Sequence, residues 1–101
     1  IMKKSIKSKW VKALRSGKYS QAQESLTQGG SYCCLGVLGK VCGLSNKQLR
    51  DMSRHGDRGI LLSINMEKKT GVNYVAQQQL SSMNDSGKTF LEIADYIEKK
   101  L

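Results

Sequence analysis

Apolar side chains recur near the start of the chain in the rhythm of a helix. Met2, Ile6, Trp10, Ala13 and Leu14 share one face at spacings of three and four. At about 100° per residue, Lys4, Lys9, Lys12 and Arg15 turn to the opposite side. Gly17 follows the last apolar position, where helices commonly end in the left-handed conformation. The pattern predicts an amphipathic helix with Trp10 as its aromatic anchor. A membrane-surface helix carries a similar pattern, but this one is short and Trp10 lies among the core-facing residues, so core packing is expected.

Residues 18–32 are dominated by polar side chains, and Gly29-Gly30 signals a turn. Two structures fit: a hairpin around that pair with Tyr19 and Tyr32 near its ends, or a helix from Gln21 to Thr27. The run from Cys33 to Leu44 returns to helical spacing through Cys34, Leu35, Leu38, Val41 and Cys42, with Gly43 placed to stop it. Gly36 and Gly39 would each weaken an isolated helix by about 1 kcal/mol, so another element is expected to pack closely there. This segment is expected to be the central, buried helix.

Ser45-Asn46-Lys47-Gln48 is a capping box opening a helix with Leu49 and Met52 inward. A loop is expected over His55-Gly56-Asp57-Arg58-Gly59, then a helix from Ile60 to Thr70 ending at Gly71. Gln77 to Met83 is expected to be a strand, and Asn84-Asp85-Ser86-Gly87 a turn. Thr89-Phe90-Leu91-Glu92 is a second capping box. It starts a last helix lined by Phe90, Ile93, Ala94, Ile97 and Leu101. The predicted fold is a small α+β domain over 1–101, mainly helical, with a short hairpin or small sheet.

A chain of 101 residues with 39% hydrophobic content supports one modest core. Three cysteines, two of them adjacent inside an apolar run, make a poor disulfide framework and suit a reducing, cytoplasmic compartment. No apolar stretch approaches the roughly 20 residues of a membrane span, and no signal-peptide core follows the basic start. Charge is uneven: of 17 basic residues, seven precede Glu24, the first acid, while the other ten share the rest with all eight acids. A local positive field concentrates anions, making nucleotides, nucleic acid or an acidic protein surface the natural partners.

Catalytic and metal chemistry find little footing. Ser86-Gly87-Lys88-Thr89 has the end of a phosphate loop, but the glycine required five positions before Gly87 is Ser82. Cys33, Cys34, Cys42 and His55 lack the paired spacing of a zinc site. Cys33, at the start of its helix, is the one enzymatic hint, through a lowered thiol pKa; without a recognisable constellation, neither an enzyme nor a cofactor is expected. Binding has more support. Arg15 and Lys18 lie beside Tyr19, with Tyr32 near if the hairpin forms, and cations beside flat rings suit phosphate with base or ribose. Gln21, Gln23 and Gln28 add hydrogen-bonding capacity.

Three blocks carry a resemblance: Trp10-Val11-Lys12-Ala13-Leu14-Arg15-Ser16-Gly17-Lys18-Tyr19-Ser20-Gln21, then Tyr32-Cys33-Cys34-Leu35-Gly36-Val37-Leu38, then Met83-Asn84-Asp85-Ser86-Gly87-Lys88-Thr89-Phe90 with Ile93-Ala94-Asp95-Tyr96-Ile97-Glu98. Together they resemble a family of small proteins encoded by tailed bacteriophages, across nearly the whole chain. Met83 and Thr89 stand where that family tends to have leucine and serine. The resemblance implies a phage origin and, by analogy with small phage proteins at large, a counter-defence role. Such a protein would sequester an anionic nucleotide-type signal in a basic pocket, as a homo-oligomer. Arg15, Lys18, Tyr19 and Gln21 are the candidate contacts, with Tyr32, Asn84 and Asp85 behind them. The alternative is a module that binds nucleic acid or a host protein through the basic first helix.

Overall fold

A computed structural model describes residues 2–55 and 61–101 of the chain. The first helix, α1 (Lys4–Arg15), buries Trp10, Val11 and Leu14, and Gly17 leaves it at φ +77° as the sequence pattern requires. Trp10 is fully buried, and its indole Nε1 donates to the Cys34 carbonyl at 2.9 Å, so the anchor is also satisfied as a polar group. That bond ties α1 to the helix α2 (Cys34–Val41), in which Cys34 to Gly39 are all buried.

Between these helices lies a small sheet of β1 (Ser20–Gln21), β2 (Thr27–Gln28) and β3 (Ser31–Tyr32), in the order β1-β3-β2. Strands β2 and β3 are antiparallel, with Thr27 opposite Tyr32 and Gln28 opposite Ser31. Gly29 and Gly30 make the two-residue turn at φ +55° and +84°, where both positions need positive φ. Of the two alternatives for residues 18–32, the hairpin is the one that forms; β1 joins it in parallel with β3. Tyr19 and Tyr32 meet edge to face at 5.5 Å.

The glycines of α2 have the close neighbours that the sequence suggested. A Cβ at Gly36 would collide with the Leu26 carbonyl, and one at Gly39 would stand 2.7 Å from Leu49 Cδ2. Helix α3 (Asn46–His55) opens on its expected capping box: Ser45 N donates to Gln48 Oε1 at 2.8 Å and Gln48 N to Ser45 Oγ at 3.1 Å. His55 closes α3; the rest of the expected loop, and the expected helix start at Ile60, lie outside the described residues. The next helix, α4 (Ile64–Thr70), begins later than predicted because the Ser63 side chain caps it, accepting from Met66 N.

The strand expected from Gln77 to Met83 is not there. Those residues belong to helix α5 (Tyr74–Asp85), capped by Asn73, which accepts from Ala76 N at 2.8 Å. Gln77 is fully buried despite its polar side chain. Its Oε1 accepts from Leu62 N at 2.9 Å and its Nε2 donates to Val72 O at 3.1 Å. Gln77, Leu80, Ser81 and Asn84 form one helical stripe facing inward. Asn84 and Asp85 are accordingly the last turn of α5, and only Ser86 and Gly87 form the turn. Helix α6 (Phe90–Lys100) carries the predicted capping box between Thr89 and Glu92 and packs Phe90, Ile93, Ala94 and Ile97 inward along α1. That box accounts for the residues that imitated a phosphate loop. The domain is mainly helical α+β, as expected.

Candidate functional site

The polar residues singled out by sequence separate into two places. The first is a buried junction at the C-terminal end of α5. Asn84, with no solvent exposure, uses all four hydrogen-bonding positions of its carboxamide. Its Oδ1 accepts from Gln21 Nε2 at 2.9 Å and from Cys34 N at 3.2 Å; its Nδ2 donates to Ala22 O at 2.8 Å and to Asp85 Oδ1 at 3.2 Å. Cys34 N is one of the first-turn donors of α2 that no carbonyl within the helix can satisfy, so Asn84 caps that helix from a distance. Gln21 also donates to Lys88 O at 2.7 Å, and Asp85 accepts from Glu24 N at 2.9 Å, where Glu24 holds a positive φ of 58°. Tyr32, packed on Tyr19, donates its hydroxyl to Asn46 Oδ1 at 2.8 Å.

Gln21, Asn84 and Asp85 are therefore brought together, and Tyr19 with Tyr32, but the polar groups of Gln21, Asn84, Asp85 and Tyr32 are engaged within the protein. Asn84, expected as a ligand contact, is a buried structural group, and Gln21 is held by it. Lys18 is exposed beyond Gly17, and Arg15 lies elsewhere, on the face of α1 next to α6. Its Nη2 donates to Asp95 Oδ1 at 2.7 Å and Glu98 Oε1 at 3.2 Å, and its Nη1 to Glu98 Oε2 at 3.1 Å. These bonds hold the guanidinium charged and draw the Glu98 carboxyl below the usual glutamate range.

Arg15 ends a stripe that is the second place. Lys4, Lys7, Ser8, Val11, Lys12 and Arg15 repeat at i, i+3, i+4, i+7, i+8 and i+11 along α1. With Ser16 and Glu98 they line a groove of about 740 Å³. Its floor is the buried Val11, and its rim is four cations against one carboxylate. Lys7 is half-buried, and its Nζ donates to the Glu98 carbonyl at 3.1 Å, so that cation is fixed in place. Among the described residues, Lys4 and Lys12 make no ion pair. Sequence reasoning saw Lys4 and Lys12 as an outer face and missed Lys7, Ser8 and Val11. The i, i+3, i+4 spacing would have grouped them.

The cysteines correct the enzymatic hint. Cys33 caps α2, its Sγ accepting from Gly36 N at 3.4 Å, but burial pushes its thiol up to about 11. Cys34, fully buried, is driven well above the ordinary range for the same reason, and Cys42 is raised by partial burial despite Lys69 and Lys9 nearby. None has the lowered pKa of a reactive thiol. Among the described residues, no three Cys, His, Asp or Glu side chains gather as metal donors, and no helix is long and apolar enough to cross a membrane.

No curated protein and no solved structure matches the chain. A family model does match, over residues 2–59, which is more than half of the chain and spans the sheet, α2 and the α1 wall of the groove. The α6 wall, with Asp95 and Glu98, falls beyond the matched span. By that match, the chain belongs to the family described as Domain of unknown function (DUF8296).

Proposed function

We propose that this protein binds a phosphate-bearing small molecule of nucleotide type in the groove along α1. The observation that carries the reading is the stripe itself: Lys4, Lys7, Lys12 and Arg15 converge on a space of about 740 Å³ with a valine floor and a single lining carboxylate. Ligand sites are commonly concavities of roughly 300–1,000 Å³ with an apolar base and few directed polar groups. In a phage setting the role is counter-defence: the protein sequesters a nucleotide signal, with no chemistry performed on it. Of the groove's cations, Lys7 and Arg15 are bound to α6, and Lys4 and Lys12, which make no ion pair among the described residues, support the assignment as the side chains free to meet a ligand.

Thermal unfolding against cyclic dinucleotides, ADP-ribose derivatives, mononucleotides, and short DNA and RNA tests the proposal. A ligand at 100 times its Kd stabilises the fold by about 2.7 kcal/mol, which raises Tm by roughly 10 °C or more in a domain of this size. The shift is expected with a nucleotide and lost in Lys7→Gln. A shift seen only with polynucleotide, with affinity falling steeply as salt rises, would favour the second reading. That reading rests on Lys12, on the rim of the groove, and on Lys9, exposed on α1 outside it.

A further inference from the structure

A second concavity, of about 380 Å³, opens between the β2–β3 hairpin and α3. Ser25, Thr27, Gln28, Gly29, Arg50 and Ser53 line it, and none of them lines the groove along α1. Apart from Gly29, every lining side chain is polar, and among the described residues no carboxylate or apolar side chain joins them. Arg50 and Ser53 stand at i and i+3 on α3, so they share one face. Asp51, next to Arg50 in the chain, is turned about 100° away on the helix and does not line the space.

The walls are fixed through Leu26, which is fully buried. Its N–H donates to Ser53 Oγ at 3.3 Å, and its carbonyl abuts Gly36 of α2, so one residue pins the hairpin to both helices. The lining hydroxyls then take defined roles. Ser25 Oγ donates to Thr27 O at 2.7 Å, and Thr27 Oγ1 donates to Ser31 O at 3.0 Å. With their hydrogens so engaged, these two oxygens have only lone pairs left to offer. Ser53 is the reverse. Its Oγ accepts from Leu26 N, and its O–H meets no acceptor among the described residues. Arg50 is exposed, makes no ion pair among the described residues, and brings its N–H donors in a planar fork.

We infer that this pocket is a phosphate site separate from the groove, with Arg50 and Ser53 donating to phosphoryl oxygens and Ser25 and Thr27 accepting from a ligand hydroxyl. A guanidinium fork matches two phosphoryl oxygens at once. Monohydrogen phosphate carries the required hydroxyl itself, and a phosphate ester of a polyol carries it on its alcohol. Sulfate has the same shape but no hydrogen at neutral pH, so it would leave the lone pairs of Ser25 and Thr27 facing an oxyanion. The space is larger than one phosphate fills, and it admits the alcohol part of an ester. The site goes beyond the nucleotide reading of the groove and does not depend on it.

Amide chemical-shift titration of the full chain with inorganic phosphate, sulfate and glycerol 3-phosphate, at pH 7 and constant ionic strength, tests the site. Phosphate is expected to shift residues 25–30 and 50–53 along one saturating curve. Arg50→Gln should weaken that binding roughly tenfold or more and leave any shifts along α1 as they were. Arg50→Lys should restore only part of it, because a point charge replaces the fork. Sulfate should bind roughly fivefold more weakly than phosphate, and the gap should narrow in Ser25→Ala. Arg50 is exposed, so an unchanged Tm of the free variant is expected and confirms a retained fold. Glycerol 3-phosphate binding as tightly as phosphate or more tightly would assign the site to esters, and weaker binding would assign it to the free ion; both support it. Absence of shifts at 25–30 and 50–53 would overturn the site, and shifts confined to α1 and α6 would do so while leaving the groove reading in place. Binding that survives Arg50→Gln, or sulfate held as tightly as phosphate, would overturn it as well.

Discussion

Around Asn84 the polar atoms face one another inside the protein, whereas along α1 Lys4 and Lys12 face a groove with no partner among the described residues. Both regions are rich in side chains that the sequence marks as polar and clustered. At the junction, removing one group strands its buried neighbours, and an unsatisfied buried donor or acceptor costs about 1–3 kcal/mol. Along the groove, solvent replaces whatever is removed. Substitutions at the junction should therefore act on stability, and substitutions in the groove on binding.

The largest effect expected is from Asn84→Ala. It leaves Cys34 N–H and Ala22 C=O without their partners at 3.2 and 2.8 Å, while Gln21 keeps Lys88 O. One stranded buried group, a second that is part-buried, and a small cavity predict a loss of about 2–4 kcal/mol in urea unfolding. A loss below about 1 kcal/mol would mean that the junction is no more structural than the groove, and the contrast would fail.

Next comes the pair of glycines in α2. Gly36→Ala drives a methyl group into the Leu26 carbonyl, a backbone atom fixed by the hairpin, and should cost about 3 kcal/mol or more. Gly39→Ala meets only the flexible end of Leu49 at 2.7 Å. There the gain in helix propensity, about 1 kcal/mol, offsets much of the strain. Equal losses at both positions would show that the helix, and not the hairpin above it, sets the demand for glycine.

Local signals in the sequence were legible where a few residues decide the outcome. The capping boxes at Ser45 and Thr89, the Gly29-Gly30 turn and the apolar stripe of α6 all form as their spacing predicts. What failed depended on partners far along the chain. Gln77 looks exposed until Leu62 N and Val72 O are brought to it, and Asn84 looks like a turn residue until α2 and the strand segment arrive. Arg15 could be placed on the outer face of α1, but nothing local says that Asp95 and Glu98, some eighty residues away, would bind it. The basic wall of the groove was thus readable, and its acidic far end was not.

The thiols extend the contrast to pH. Cys33 titrates near 9.0 when unfolded and is pushed up to about 11 when folded, so its stabilising contribution is complete below 9.0 and disappears as pH rises through about 11. The loss from this residue is about 2–3 kcal/mol. Stability measured from pH 8 to 11 should fall less steeply in Cys33→Ala than in the native chain. Thiol labelling of the folded protein should reach Cys42 first, because Cys33 and Cys34 are buried. Rapid labelling of Cys33 at neutral pH would contradict this burial and reopen the question of reactivity.

Glu98→Gln should have the smallest effect and gives the sharpest test of the groove's independence. Arg15 holds the Glu98 carboxyl below its ordinary value of 4.5, so the small stabilisation from this pair is full above 4.5 and vanishes as pH falls through the lower folded value. Exposed ion pairs of this kind contribute little, and the native chain and the variant should have nearly equal Tm at pH 7. Any residual advantage of the native chain should be gone well below pH 4.5. Phosphate binding should move the other way. Removing a carboxylate that lines the groove frees Arg15 in part and should tighten phosphate binding by roughly twofold at low salt, with the gain erased as salt rises. If stability fell substantially and phosphate binding stayed the same, Glu98 would belong with Asn84 as a structural group, and the division between the two regions would have to be redrawn through α6.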